Sequence, residues 1–322
     1  MAKAITGLMA VLIASLFCAR IGLAGMAKDG AVRSAAGGPG LCVFNSASGL
    51  ALDGPDAFVK TIQGADVVYV GETHDQLNDH LAQLEALKTL AALRGNKVAV
   101  GFEMLNMTLQ PVLDEYAAGA LTQEEFLAKA DWAEEWGFDF NLYKPIFDFI
   151  IQNKLRAIAL NVPRKIVSKI ARTGLASLTP GERAFLPETV TITGHKEYLA
   201  FLRENYDSMH AAGRVSKKAA AARPMPQFTF ENYLASMCAW NEGMGSRIAG
   251  FLNSNPGWAV MTVAGNGHVM YNAAIPASVK ARAEGVRQVS FYTEGAPQCP
   301  ESVPSETLAQ ADYIWFTTHL AE

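Results

Sequence analysis

The sequence predicts an α/β fold: a central, mainly parallel sheet flanked by helices on both faces, with a helical lid inserted over it. Three observations carry the prediction. Apolar, β-branched runs alternate with helical patterns along most of the chain, the order that parallel strands joined by crossover helices require. Several of these runs stop abruptly in polar residues, namely Glu72 and His74, Glu103, Asn161, and Asn266 with His268, and in a parallel sheet all such ends fall along one edge. Between about residues 175 and 226 the alternation lapses into helical and polar segments alone.

The first residues precede the fold. Lys3, the apolar run Leu8 to Phe17 and the small residues Gly22-Leu23-Ala24 have the layout of a secretory signal over residues 1–25. The run is interrupted by Arg20 before the roughly 20 apolar residues a membrane span needs. Cys18 raises lipidation, but Phe17 before it is too bulky for a good lipobox. Residues 26–40, rich in glycine and small side chains, read as a flexible leader, and 41–322 as one domain. Export leaves Cys42, Cys238 and Cys299, an odd number, so at most one bridge forms. Cys42 and Cys299 lie near opposite ends of the folded region, where a bridge would staple it. Cys238 sits in a helical pattern and is expected to be a small buried hydrophobe.

Leu41 to Asn45 and Leu50 to Leu52 suggest a short hairpin, and Pro55 to Gln63 a helix. Val67-Val68-Tyr69-Val70 is a buried strand that ends in Gly71-Glu72-Thr73-His74-Asp75. The next helix carries leucines at 77, 81, 84, 87, 90 and 93 and stops at Gly95, a residue suited to a left-handed cap. Lys97 to Glu103 is the second core strand; a helix follows over 108–118, and Thr122 with Glu125 has the spacing of a capping box. Trp132, Trp136, Phe138, Phe140 and Tyr143 form an aromatic cluster before a helix opened by Pro145. Leu155 to Leu160 is the next strand, and Pro163 opens a helix to Gly174. The lid then holds helices from Thr179 and over 194–212. A long helix over 229–252 leads back to strands at 258–264, 286–292 and 313–317, with a helix at 276–283.

Composition narrows the function. Half the residues are hydrophobic, 18% are charged, and the formal charge is -4 at a pI near 5.9, so no basic footprint points to nucleic acid. Gly265-Asn266-Gly267 lacks the third glycine of a dinucleotide fingerprint, and the chain has no Gly-x-Ser-x-Gly elbow, phosphate-binding loop or His-Glu-x-x-His helix. What remains is the cluster Glu72, His74, Glu103 and His268, which could bind a divalent metal, relay protons, or hydrogen-bond together to fix the loops. In the lid, Tyr198, Leu202, Tyr206 and His210 recur every fourth residue, joined by His195 and Met209. This stripe either packs onto the sheet or offers a phenolate or imidazole to a metal centre such as haem iron.

Gly71-Glu72-Thr73-His74-Asp75, Gly101-Phe102-Glu103-Met104, Leu160-Asn161-Val162-Pro163-Arg164, the helix with Trp240, Glu242 and Met244, Ala264-Gly265-Asn266-Gly267-His268-Val269 and Asp312-Tyr313-Ile314-Trp315 together resemble the ChaN family of the haem-binding uptake and Tiki superfamily. The resemblance spans nearly all of residues 41–318. It implies an exported protein, periplasmic or peripherally associated with the outer membrane, that binds haem for iron uptake, with haem stacked between two protomers. Outer-membrane haem or iron transport components are then the implied partners. It further implies haem held between the lid helix and the strand ends, with Tyr198 as ligand to the iron, Tyr206 in reserve, and His210 and His195 beside it. Glu72, His74 and His268 would form the floor of that pocket. Asn241 stands where the family usually carries Asp. The alternative is a metal-dependent hydrolase or protease using Glu72, His74, Glu103 and His268, as in the Tiki relatives.

Overall fold

A computed structural model describes residues 41–95, 97–215 and 229–317. The expected signal peptide, the leader and the polar link before residue 229 lie outside them. Seven strands form one sheet: β1 (Val43–Asn45), β2 (Val67–Glu72), β3 (Val98–Asn106), β4 (Arg156–Asn161), β5 (Ala259–Gly265), β6 (Gln288–Glu294) and β7 (Tyr313–Phe316). Their order is β1-β7-β6-β2-β5-β3-β4. Every pair is parallel except β1 with β7. The helices are α1 (Gly54–Ile62), α2 (Leu77–Arg94), α3 (Gln110–Ala117), α4 (Gln123–Ala130), α5 (Trp132–Glu135), α6 (Lys144–Asn153), α7 (Arg164–Thr173), α8 (Pro180–Arg183), α9 (Lys196–Val215), α10 (Phe230–Ser254), α11 (Ile275–Lys280) and α12 (Ser305–Leu308).

The central strands are buried on both faces, as continuous apolar runs require. Val68 and Val70 point to a core completed by Leu87 and Leu90 of α2 and by Phe147 and Ile150 of α6. Their neighbours Val67 and Tyr69 point the other way, onto Met244, Ile248 and Leu252 of α10 and Ile275 and Val279 of α11. From β2 the chain runs to β3 and β4 on one side, returns through β5, and crosses to β6 and β7 on the other. The strand order thus reverses around β2 and β5, and the crevice of a parallel sheet opens at such a point, outside the carboxyl ends.

The strands and main helices lie close to where the sequence puts them, and the capping box of Thr122 and Glu125 is formed. The bridge anticipated between Cys42 and Cys299 is present, with Cα atoms 5.7 Å apart. Cys238 is a buried free thiol, and burial pushes its pKa up to about 11. Two details differ from the sequence reading. The strand expected to stop at Glu103 continues to Asn106, with a register shift against β4 between Phe102 and Asn106. Glu103, inside the strand, follows the alternation of Ala99 and Gly101, opposite to the face of Val100, Phe102 and Met104, and is buried at 2% exposure. The leucine pattern of α2 also does not mark its buried face: Leu77 is exposed, while Asp79, His80, Gln83, Leu87 and Leu90 are buried.

Gly71 shows how tightly the strand ends fit. A Cβ at this position would lie 2.0 Å from Oδ1 of Asn266. That side chain donates to the Thr293 carbonyl at 2.9 Å and accepts the Thr293 N–H at 3.2 Å, tying β5 to β6 across β2. Gly71→Ala is therefore expected to cost about 1–3 kcal/mol through overpacking and loss of this clasp, measurable as a lowered urea midpoint with an unchanged slope.

Candidate functional site

Four polar groups from three strand ends meet at the crevice. Glu72, the last residue of β2, lies under α2 and is 3% exposed. Its Oε1 accepts from the Tyr143 hydroxyl at 2.8 Å and pairs with His74 Nδ1 at 2.8 Å. Its Oε2 accepts from Gln83 Nε2 at 2.8 Å and faces His80 Nδ1 at 3.4 Å. Burial would push this carboxyl up, but the His80 charge and the hydrogen bonds from His74 and His80 outweigh it and hold the group well below the carboxylate range.

His80 is held in one protonation state by its neighbours. Gln83 Nε2 donates to the Val70 carbonyl and to Glu72, which turns Gln83 Oε1 toward His80 Nδ1 at 3.2 Å. His80 Nε2 faces the His74 carbonyl at 3.2 Å. Both ring nitrogens face acceptors, an arrangement that favours the doubly protonated ring. Burial lowers its pKa, but the Glu72 charge and these bonds raise it further, giving a net rise.

The second pair is Glu103 with His268. Glu103 Oε1 lies 3.2 Å from His268 Nε2, and Oε2 accepts the Gly265 N–H at 2.7 Å. Burial pushes Glu103 up, yet the His268 charge and hydrogen bond bring it below its ordinary value. His268 Nδ1 meets Asn241 Oδ1 at 2.6 Å. The Asn241 amide nitrogen donates to the Tyr198 hydroxyl at 3.0 Å, and that hydroxyl donates to the Gly267 carbonyl at 2.9 Å. Asn241 Oδ1 can only accept, so His268 Nδ1 is the donor of that bond and its Nε2 faces Glu103.

The two pairs are adjacent. A Cβ placed on Gly265 would lie 2.7 Å from His74 Cε1, 3.1 Å from His74 Nε2 and 3.7 Å from Glu103 Oε2. Glycine here lets the free edge of the His74 ring face the Glu103 carboxylate. Burial lowers the His74 pKa, but its bond to Glu72 and the charges of Glu103 and Glu72 give a net rise. Its ring is walled by Trp136 and Phe138, with centroids at 4.6 and 5.1 Å. Trp240 packs its indole on His268 at 5.1 Å, and its buried Nε1 finds no hydrogen-bond acceptor; neither does Asn161 Oδ1 find a donor, although Asn161 Nδ2 donates to the Glu103 carbonyl at 2.7 Å.

The structure thus brings Glu72, His74, Glu103 and His268 together as the sequence implies. It does not give them the geometry of a metal centre: among the described residues no group of three or more His, Cys, Asp or Glu side chains is placed to hold an ion. Apart from His74 Nε2, the ring nitrogens of His74, His80 and His268 are spent on carboxylates, amides and carbonyls.

The lid stripe resolves differently from the expectation of an iron ligand. Tyr198 is fully buried, its hydroxyl is committed to Asn241 and Gly267, and burial raises its pKa far above the ordinary value. The phenol stays with these partners while α9 is packed on the strand ends. Leu202 is buried in the same cluster as Tyr233 and Met237 of α10, with Tyr206 packed against it. The side chain of His210 lies outside the described residues. His195 is exposed, accepts the Tyr198 N–H at 3.4 Å and stacks on Tyr271 at 5.6 Å.

His80, Gln83 and Tyr143 complete the floor, and the motif reading did not assign them. The signal available was a polar pair, His80 and Gln83, three residues apart on one helix face that also carries Leu87 and Leu90.

A family model described as haem-binding uptake, Tiki superfamily, ChaN matches residues 58–279. A search of curated proteins finds no match. Among solved structures, ChaN of Campylobacter jejuni, reported for cofacial heme binding, superposes with a TM-score of 0.58 at 16% identity, over 85% of this chain and 95% of that one. The type III effector HopBA1 gives a TM-score of 0.43 at 9% identity, over 80% and 90% of the two chains. Likeness at these identities concerns the fold alone.

Proposed function

The chain belongs to the haem-binding uptake, Tiki superfamily, ChaN family, and from that premise we propose that it is an exported haem-binding protein of an iron-uptake system. The match over residues 58–279 carries the reading. Export is supported by the Cys42–Cys299 bridge, since such bonds persist in oxidising compartments.

The residues present fit haem at the rim of the lid better than beneath it. His195 offers an exposed imidazole whose Nε2 is not used by the Tyr198 contact. Tyr271 stacks beside it on backbone with φ 57°, a conformation uncommon outside glycine that persists where the surroundings enforce it. Ile192, three residues before His195, exposes 46% of its surface and could add apolar contact to the face of a porphyrin. Arg203 of α9 is exposed and could pair with a propionate. His195 or Tyr271 would hold the iron, Tyr206 being the reserve ligand, and the bound haem would supply its own redox chemistry. A second protomer covering a haem so exposed is part of the same reading, as is transfer to or from outer-membrane components.

Titrating the apo-protein with haemin is expected to give a saturable Soret shift. His195→Ala and Tyr271→Phe should weaken it about tenfold or more and alter the high-spin electron paramagnetic signal, whereas Tyr198→Phe should leave the ligand signature unchanged. An absent Soret shift in the wild type would refute haem binding. A signature altered only by Tyr198→Phe would return the iron to the buried tyrosine. Sedimentation of the loaded protein reports whether haem joins two copies.

A further inference from the structure

One surface segment has the build of a strand without a neighbour. Between α8 and α9, residues 189–195 run without a turn or bend. Thr189-Val190-Thr191-Ile192-Thr193 is an unbroken series of β-branched residues, the types that favour a pleated strand, yet it belongs to none of the strands of the sheet. Two backbone groups tie it to the body of the protein. The Thr189 carbonyl accepts from the Arg282 guanidinium at 2.9 Å, and the Thr193 N–H donates to Cys238 Sγ of α10 at 3.4 Å. Val190 packs against the cluster that includes Ile166 and Leu186, whereas Thr191 and Ile192 are exposed.

In extended backbone the N–H and C=O of one residue lie on one edge and those of the next residue on the other. The groups of Thr189 and Thr193 face the body, so the edge formed by Val190 and Ile192 faces away from it. Those two residues make no backbone hydrogen bond among the described residues. An exposed edge of this kind is a template for another strand.

We propose that this edge pairs with the same segment of a second copy of the chain, as an antiparallel ribbon whose two-fold axis passes at Thr191, and that it does so without haem. The occupant is indicated by the segment itself, which reads alike in both directions: threonine at its centre and both ends, one β-branched aliphatic residue on either side. Pairing about Thr191 sets Val190 opposite Ile192 and every threonine opposite a threonine, both favourable cross-strand combinations. Val190 and Ile192 exchange both N–H···O bonds on each side of the axis, and Thr191 meets Thr191 in the closer, non-hydrogen-bonded pair. Charge agrees with this register. The exposed Glu188 falls opposite Gly194 of the second copy, beside the exposed His195 and Lys196 of that copy. A contact of this symmetry closes on itself, and Pro187 and Gly194 bound the ribbon, so the product is a dimer and not a fibre. So short a ribbon falls below the roughly 1,200 Å² that stable interfaces bury, which makes the association weak and concentration-dependent. The pairing is a backbone contact and does not rest on the haem reading.

The test uses the haem-free mature chain in sedimentation equilibrium from micromolar to millimolar concentration. A monomer–dimer equilibrium is expected, with hydrogen exchange at Val190 and Ile192 slowing as the concentration rises. Thr191→Asp and Thr191→Lys each place like charges on the axis and should weaken self-association about tenfold or more. Mixing the two variants should restore the dimer, because unlike copies then pair. Position 191 is exposed, so both variants should keep the wild-type urea midpoint. Thr191→Cys should give a disulfide-linked dimer under mild oxidation, faster than Ser305→Cys, an exposed position outside the segment. No native thiol competes, since Cys42 and Cys299 are bridged and Cys238 is buried. A wild type that stays monomeric up to millimolar concentration overturns the proposal. So does a dimer that both charge variants leave unchanged, or a mixture of the two that associates no better than either alone. The Soret titration of the same samples judges haem binding separately, so the two readings can fail independently.

Discussion

Replacing His80 with leucine is expected to destabilise the fold by about 3 kcal/mol, the lower end of the cost of breaking a buried pair, because His74 still faces Glu72. Glu72 then keeps its bonds from Tyr143, Gln83 and His74 but loses the cation that lies 3.4 Å from Oε2, while Gln83 Oε1 and the His74 carbonyl lose their donor. Glu72→Gln in the same background removes the orphaned charge, so the double variant should be less destabilised than the sum of the singles, a coupling of about 1–3 kcal/mol. Strict additivity in urea unfolding would mean that the pair is not an ion pair.

The same pair fixes a pH dependence. Glu72 has a lowered pKa in the folded state, so its contribution is present above the unfolded value of about 4.3 and lost as pH falls toward the folded one. His80 has a raised pKa, so its contribution is complete below about 6.5 and lost as pH rises through the folded value. Stability from the pair is therefore greatest between about pH 5 and 6.5. The alkaline decline should be smaller in His80→Leu, and an identical decline in both proteins would assign it to other groups.

The site's location could be read from the sequence because the strands that carry it are buried on both faces. A run such as Val67 to Val70 admits only one structure, and its end must lie at the sheet edge with the ends of the other parallel strands. The partners of that edge were less legible. Helix α2 carries apolar residues all round, and its leucine spacing competes with the true buried face, where Asp79, His80 and Gln83 point to β2. Tyr198 was ambiguous for a related reason: a four-residue aromatic repeat is the pattern of a ligand stripe and of a packed helix alike. The choice depends on what waits beneath, here the Gly267 carbonyl and Asn241 from two distant segments. Glu103 adds a third case, since the strand runs on past it to Asn106 and its burial depends on partners from other segments, the Gly265 N–H and His268.

The Cys42–Cys299 bridge joins β1 to the chain between β6 and α12 across a sequence separation of 257 residues. Its loss is expected to have the other large effect on stability. In the chain-entropy picture, closing a loop of this length removes about 5 kcal/mol of denatured-state freedom, and measured losses for native bridges run from about 2 to 5 kcal/mol. Strand β1 is the element most exposed to that loss. It is three residues long, lies at the edge of the sheet, and beyond its pairing with β7 has only a single bridge from Phe44 to Ala51 among the described residues. Cys42→Ser with Cys299→Ser, made together so that no thiol is left to mispair, should lower the urea midpoint and release the amides of residues 43–45 to hydrogen exchange. The crevice at β2, β3 and β5, built from pairs unconnected to β1, should keep its hydrogen bonds in the molecules that remain folded. Loss of the haemin response in step with unfolding, and no earlier, is the expected pattern. Loss of that response while the protein is still folded would mean that the edge strand and the site are coupled through β6, by way of the Asn266–Thr293 clasp.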